Sequence, residues 1–306
     1  RRSSILLDKL TFDDTISPTG GSNLVYGYQR LETPSTAAVR QINSEYSPNE
    51  AKRTKCTASP VILGGSFQID RVIAQTSGAI NEMNFQIKEK TKAGANYFHN
   101  LVINGTSAST GTGYVPNTFD GLKKILTGKS TEMTTDIDIS TSALLDSNYN
   151  ALLDELDTFI ALLAAKPDVL MMNSKMLTKV KSAARRAGYY DRNKDDFGRT
   201  VETYNGIILM DAGQYYNGST TEDVVSTSTP GSDTYGTTDI YAAKLGLDAF
   251  HGISVDGSKM LKTYLPDLQA PGAVKTGEVE LIAGAVLKNS KMAGVLKGIK
   301  LLGKTA

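Results

Sequence analysis

Residues 76–104 read TSGAINEMNFQIKEKTKAGANYFHNLVIN. Within them Ile80, Met83, Ile87, Thr91, Gly94, Phe98 and Leu101 recur at alternating steps of three and four, which sets them along one face of an α-helix. Thr76 and Ser77 can accept from the first unpaired N–H groups, and Asn104-Gly105 tolerates the backbone that ends a helix. At about 1.5 Å per residue the helix would extend on the order of 40 Å, where an ordinary helix has roughly 11 or 12 residues. Its other stripe carries Asn81, Asn84, Lys88, Lys92 and Asn96, so one side should lie on a sheet and the other face solvent or neighbours. A spine of this kind needs a large fold around it.

A chain of 306 residues, 40% of them apolar, can bury a substantial core and has room for one to three domains. Its 33 basic and 32 acidic residues nearly cancel, so no whole-molecule field draws it to nucleic acid or an anionic membrane, and any DNA contact should be local. No apolar run approaches the roughly 18 residues that cross a bilayer, and residues 1–20 lack the apolar centre of a signal peptide. The single cysteine, Cys56, excludes an internal disulfide framework and fits a reducing compartment. The sequence begins at Arg1 without a methionine, as a processed or trimmed chain would.

Residues 1–23 mix short apolar pieces with Pro18 and the Gly20-Gly21 pair, as an extended arm would. From Leu24 to Tyr46 the pattern is strand-like, with Val25, Tyr26 and Tyr28, then Val39, Ile42 and Tyr46. Ser47-Pro48-Asn49 makes a turn, and the chain returns through Lys52, Arg53, Lys55 and Cys56 to alternation at Phe67 and Ile69. This predicts a long hairpin with too few apolar residues to stand alone, stabilised by packing on something else, for which a partner chain is the natural candidate.

After the spine, residues 105–113 read as a loop, and Phe119-Asp120-Gly121-Leu122 opens a short helix to Leu126. Asp146 or Ser147 is expected to cap a helix whose Tyr149, Leu152, Leu153, Leu156, Phe159, Ile160 and Leu163 share a face, ended by Pro167. Val169–Met172 is continuously apolar, as a strand buried on both faces would be. Ser174 should cap a second helix, closed by Gly188, and Val201 to Met210 reads as another strand. Residues 215–238 read as a surface loop, Ile240 to Leu247 and the alternating Val279 to Leu287 as strands, and Val295 to Leu302 as a last strand beside the spine.

This order of elements resembles the major capsid proteins of tailed bacteriophages, whose Hong Kong 97-type fold encapsulin shells share. The matching pieces are Phe119-Asp120-Gly121-Leu122, the run KPDVLMMN at 166–173, and Tyr204-Asn205-Gly206-Ile207-Ile208-Leu209 with Asp211; their order and spacing span nearly the whole chain. The resemblance implies an α+β fold with an N-terminal arm at 1–35 and an extended hairpin loop at 36–72. It implies a peripheral domain at 73–117 and 281–306 that holds the spine helix, and an α/β axial domain at 118–280. It further implies a self-assembling subunit, joined in hexamers and pentamers into an icosahedral shell that encloses double-stranded DNA by weak, non-specific contact. Portal and decoration proteins would be further partners, the virion its location and the host bacterial cytoplasm its place of assembly, with no membrane, cofactor or metal. A leader removed by a phage protease would explain Arg1, and Lys52 or Lys55 lies where some members crosslink to a neighbour's asparagine, though no local motif selects either. The alternative within the fold is an encapsulin-type nanocompartment; outside it, a carboxylate-dependent hydrolase.

The residues themselves offer little chemistry. Gly298 to Thr305 matches the phosphate-loop pattern, but that loop needs a helix directly after it, and a strand-like run fills the motif. His99, on the spine beside Phe98, reads as a hydrogen-bonded structural imidazole. Cys56 has no histidine near it in sequence, and no G-x-S-x-G elbow or Cys/His metal spacing occurs. The acids Asp136-Asp138, Asp154-Glu155-Asp157 and Asp195-Asp196 could supply a hydrolase pair, but Asp154, Glu155 and Asp157 fall on a polar helix face. No residue is expected to be catalytic. Two basic groups are instead expected to make inter-subunit contacts: Lys52, Arg53 and Lys55 at the hairpin turn, and Arg185 and Arg186 with the nearby Lys181, Arg192 and Lys194.

Overall fold

The computed structural model describes residues 4–15, 24–76, 81–107, 118–188, 191–194, 200–257 and 261–304. The N-terminal segment, expected as an extended arm, folds into the body where it is described: α1 (Leu6–Lys9) and β1 (Phe12–Asp14) bury Leu6 and Leu10 in the core. β2 (Tyr26–Thr33) and β3 (Lys52–Ala58) form a separate two-stranded ribbon, whereas β4 (Val61–Asp70) joins a larger sheet. Val39, Ile42 and Tyr46, expected in a strand, lie in the connecting loop, where Pro34 and the left-handed Asn43 (φ 65°) interrupt any ladder.

Asp70 caps a short helix, α2 (Arg71–Gln75), by accepting from the Val72 N–H at 2.8 Å. The spine, α3 (Glu82–Asn104), starts later than expected, with Asn81 accepting from the Asn84 N–H at 3.1 Å. Thr76 thus closes α2 instead of opening the spine, while Ser77 and Ile80 fall outside the described residues. There follow α4 (Leu122–Leu126), β5 (Glu132–Thr134), α5 (Ser142–Ala161), β6 (Val169–Met172) and α6 (Ser174–Arg186). Thr141, not Asp146 or Ser147, caps α5, and Asn173, not Ser174, caps α6; in each case the capping side chain lies just before the first helical residue, where the backbone is still extended.

Next come β7 (Asp191–Lys194), β8 (Thr200–Tyr204) and β9 (Ile207–Asp211). The stretch read as one strand at 201–210 is therefore two, because Asn205 (φ 50°) and Gly206 (φ 73°) adopt the left-handed pair that a tight hairpin turn requires. Inside the expected surface loop lies a ribbon of β10 (Gln214–Tyr216) and β11 (Thr221–Asp223). The chain ends with β12 (Gly236–Ala243), β13 (Phe250–Ser254), β14 (Lys262–Tyr264), β15 (Val274–Leu287) and β16 (Ala293–Leu302).

β15 organises a five-stranded sheet, pairing with β13 and β14 on one edge and with β4 along the other, while β1 adds to β13. Gly252 lies opposite Phe12 in that last pairing, and a Cβ there would come within 2.6 Å of the Phe12 ring, so only glycine admits the N-terminal strand. The second sheet has seven strands in the order β5-β16-β12-β6-β9-β8-β7. β16 thus pairs with β12 and β5, a correction to its expected place beside the spine: Ala293–Leu296 are buried throughout, as an inner strand requires.

β6 separates two cores. Val169 and Met171 face a core shared with Phe98, Leu101, Val102 and Ile103 of the spine and Leu281 and Ala283 of β15; Leu170 and Met172 face a second core under α5 and α6. The spine lies on β4 and β15, but it is not the one-sided helix expected. Its first half is exposed to half-buried, and its second half is buried nearly all round, Asn96 included, whose amide finds no partner among the described residues.

Asn173 is fully buried where α6 begins. Its Oδ1 accepts from the Met176 N–H at 2.8 Å, and its amide donates toward Thr238 Oγ1 (2.8 Å), Thr227 Oγ1 (3.0 Å) and the Val225 carbonyl (3.2 Å). Asn173→Ala removes the cap and strands buried acceptors, and should lower unfolding free energy by about 3 kcal/mol in urea titrations. His99 is also buried, its Nε2 accepting from the Leu7 N–H at 3.3 Å, which ties α1 to the spine. Burial pushes this imidazole down to about 4, the nearby Asp8 offsetting part of the shift. Because the folded value lies below the unfolded one, near 6.5, the contribution is complete above pH 6.5 and is lost as pH falls toward 4, by about 3 kcal/mol in all. Unfolding measured at pH 7.5 and 4.5 should show this loss in the wild type and a smaller one in His99→Gln, where an acceptor remains but the titration does not.

Candidate assembly surfaces

Strand alternation divides the β2–β3 ribbon into two faces. On the inner face Tyr26, Tyr28 and Arg30 lie opposite Ala58, Cys56 and Thr54. The Tyr26 hydroxyl donates to Asp13 Oδ2 at 2.6 Å, its ring meets His251 edge-on at 5.8 Å between centroids, and Arg30 donates to the Leu287 carbonyl at 3.0 Å. Burial and the Asp13 carboxylate together hold the Tyr26 phenol well above its ordinary range, so it stays a protonated donor. The root of the ribbon is thereby fixed to the N-terminal segment and to the end of β15. A cavity of about 640 Å³ remains between this inner face and α4, lined in part by Tyr28, Arg30, Cys56, Asp120 and Lys124.

The outer face carries Gln29, Leu31, Arg53 and Lys55, all exposed, with Arg53 paired across the ribbon to Leu31 and Lys55 to Gln29. Lys52, Arg53 and Lys55 therefore sit on the second strand, not at the turn. Beyond the ribbon, residues 34–51 hold themselves with a few polar contacts: the Thr36 N–H donates to Asn49 Oδ1 at 3.1 Å, and Arg40 lies 5.6 Å from the centre of the Tyr46 ring. That loop presents Val39 at 100% and Ile42 at 90% exposure. Apolar side chains so fully bare mark a surface for contact.

The second basic group is divided among internal partners. Arg186 Nε lies 2.6 Å from Asp146 Oδ1, joining α6 to α5, and Lys181 forms an ion pair with Glu202 of β8. Arg185 is exposed on the last turn of α6, and the side chains of Arg192 and Lys194 lie outside the described residues. The two groups do not meet: one is on the ribbon, the other on the helical layer over the seven-stranded sheet.

The acids considered for hydrolysis are dispersed. Asp136 pairs with Lys300 at 2.6 Å, Asp138 accepts from the Ser140 N–H and hydroxyl, and Asp157 accepts from the Tyr204 hydroxyl at 3.0 Å. Asp154 and Asp157 are exposed on α5, and Asp195-Asp196 lie outside the described residues. The phosphate-loop match runs through β16, so its Gly298 and Lys300 belong to a strand. Among the described residues no group of three metal-ligating side chains converges, and no helix is long and apolar enough to cross a membrane. Sequence reading missed the bare Val39 and Ile42, whose spacing of three fits neither the strand assumed there nor a buried position.

Comparisons with known proteins agree with this architecture. No curated protein matches the sequence significantly. Solved structures do match in fold: the holo-SrpI encapsulin of Synechococcus elongatus PCC 7942 at 12% identity and TM-score 0.64, covering 98% of this chain and 89% of that one. The capsid of Myoviridae phage XM1 matches at 12% and 0.56, and a chain of Mycobacterium phage Ogopogo at 12% and 0.57, each covering 97% of this chain and 92% of the other. The α+β capsid fold expected from the order of elements is therefore the fold observed. The profile of SU10 major capsid proteins matches residues 50–208, slightly more than half of the chain, from the ribbon's second strand through the spine to β9. This chain belongs to the SU10 major capsid protein family and is a structural subunit of a tailed-phage head shell.

Proposed function

We propose that copies of this subunit join as hexamers and pentamers into a closed icosahedral shell around double-stranded DNA, meeting portal and decoration proteins, in a virion assembled in the host bacterial cytoplasm. The observation that carries this reading is the ribbon: fixed at its root and exposed at its tip, it leaves Val39 and Ile42 bare of apolar partners among the described residues. Burying two such side chains on a neighbour is worth about 3 to 6 kcal/mol per copy before ordering costs, which repetition around a closed shell multiplies. The role we assign is structural; among the described residues the acids considered for hydrolysis are engaged separately, Asp136 with Lys300, Asp138 with Ser140 and Asp157 with Tyr204. We assign Arg185, exposed on the last turn of α6, to a contact with a neighbour around a symmetry axis, and Arg186 mainly to bracing its own helices.

The sheets suggest how the domains divide. The extended loop comprises 26–58. A peripheral domain gathers β1, β4, the spine and β13 to β15 on the five-stranded sheet, and an axial domain gathers α4, α5 and α6 with the seven-stranded one.

Electron microscopy of the chain expressed with its head-assembly partners should show closed polyhedral particles; a uniform monomer under those conditions, active as a hydrolase, would overturn the reading. Val39→Ser with Ile42→Ser should leave the thermal unfolding of the isolated subunit unchanged within about 1 °C and reduce particle yield at least roughly tenfold, because surface substitutions scarcely alter stability while lost burial weakens each repeated contact.

A further inference from the structure

The cavity of about 640 Å³ beneath the ribbon has walls of different origin. One wall is the inner face of β2 and β3, which brings Tyr28, Arg30 and Cys56; the other is α4 with its flanks, which brings Asp120, Lys124 and Lys129. Ile125, Ala285 and Val286 add an apolar side. The volume falls within the roughly 300 to 1,000 Å³ of small-molecule sites, which combine apolar walls with a few placed polar groups.

Arg30, Lys124 and Lys129 set three positive charges in this lining against the one carboxylate of Asp120, an excess of two. Burial opposes the charge on Asp120, but hydrogen bonds from Lys124 at 2.8 Å and from the Ser107 N–H and hydroxyl at 2.7 Å hold its carboxyl below the ordinary range, so it is ionised at neutral pH. That ion pair engages Lys124 and leaves two cations over. Arg30 donates through one terminal nitrogen to the Leu287 carbonyl and the Tyr28 hydroxyl, while its Nε, shut off from solvent, has no hydrogen-bond partner among the described residues. Lys129 is exposed and meets no acid among the described residues. Burial raises the Tyr28 phenol above its ordinary range, so its hydroxyl stays protonated, and Thr57 and Thr127 add further hydroxyls. Unspent cationic donors beside hydroxyls are the chemistry that receives a doubly charged anion.

We propose that this cavity binds a small phosphate monoester, of about nucleotide size, its phosphoryl group held by Arg30 and Lys129 and its organic body lying against Ile125, Ala285 and Val286. A phosphate monoester carries about −1.5 to −2 charges at pH 7, which the excess of two positive charges matches, and a guanidinium meets its oxygens with directional N–H donors. Arg30 belongs to the ribbon and Lys129 to the body, so the bound anion ties one to the other and braces the ribbon over α4. The site lies within a single chain and does not rest on the shell reading.

Cys56 supplies the test, because it is the only cysteine of the chain and lines the same cavity, so its alkylation by neutral iodoacetamide reports occupancy. In the full chain at low salt and about pH 7.5, adenosine monophosphate should slow that alkylation saturably by at least about fivefold, with a half-effect below about 1 mM, and adenosine should not. Lys129→Ala should raise the half-effect concentration at least about tenfold, whereas Asp120→Asn, which removes the opposing charge and keeps an acceptor for Lys124 and Ser107, should lower it about threefold. Loss of structure alone would not move the two variants in opposite directions. No slowing at about 5 mM adenosine monophosphate, equal slowing by adenosine, or a Lys129→Ala variant that behaves as the wild type would overturn the site and leave the shell reading standing.

Discussion

The structure depends on the burial of the second half of the spine. Phe98, Leu101, Val102 and Ile103 lie at 0–2% exposure, surrounded by elements from both sheets, and a helix apolar on all sides is stable only when enclosed. Enclosure requires the N-terminal segment as well: Leu6 and Leu10 close one side of this core, Phe12 packs 6.1 Å from the Phe98 ring, and the Leu7 N–H donates to His99. The first half of the same helix is free to be polar, because it only rests on β4 and β15. One helix thus acts as a buried post at one end and a surface rail at the other.

β6 transmits that constraint. Alternate residues of Val169–Met172 fill the two cores, so this short strand couples the spine to the layer of α5 and α6 through apolar side chains. Asn173 follows immediately and gathers the start of α6, the segment after β11 and β12 into one hydrogen-bonded hub. A buried network of this kind is stabilising only when every member is satisfied, and here the capping oxygen and the amide both are.

With the body closed in this way, the ribbon is the element that cannot complete itself. Two strands alone are marginal in water, and among the described residues this pair obtains its support from the body through Tyr26 and Arg30. Its outer face and its tip carry the charge and the apolar side chains that the fold does not use. For a protein whose function is repetition, weak contacts are suitable: many modest, register-setting interfaces allow errors to dissociate before a shell closes, whereas one strong contact would trap them.

Much of this was legible in the sequence. The spine and its end at Asn104, though not its start, the short helix before Leu126, the helix carrying Leu152 to Phe159 and the doubly buried Val169–Met172 all follow from period, length and composition, because they are local properties. The family resemblance was legible too, since it lies in the order of those elements. Tertiary structure alone decided the rest. Alternation identified β16 as a strand but not its partners, and cap chemistry allowed Ser174 where Asn173, with three acceptors from two other segments around it, took the role. The outward ribbon face comes from the register of β2 on β3, and the pairing of β4 with β15 joins residues more than two hundred positions apart. Local periodicity specifies what an element is, because one residue's neighbours in sequence set its backbone; which elements meet depends on burial shared across the whole chain, and no local pattern encodes that.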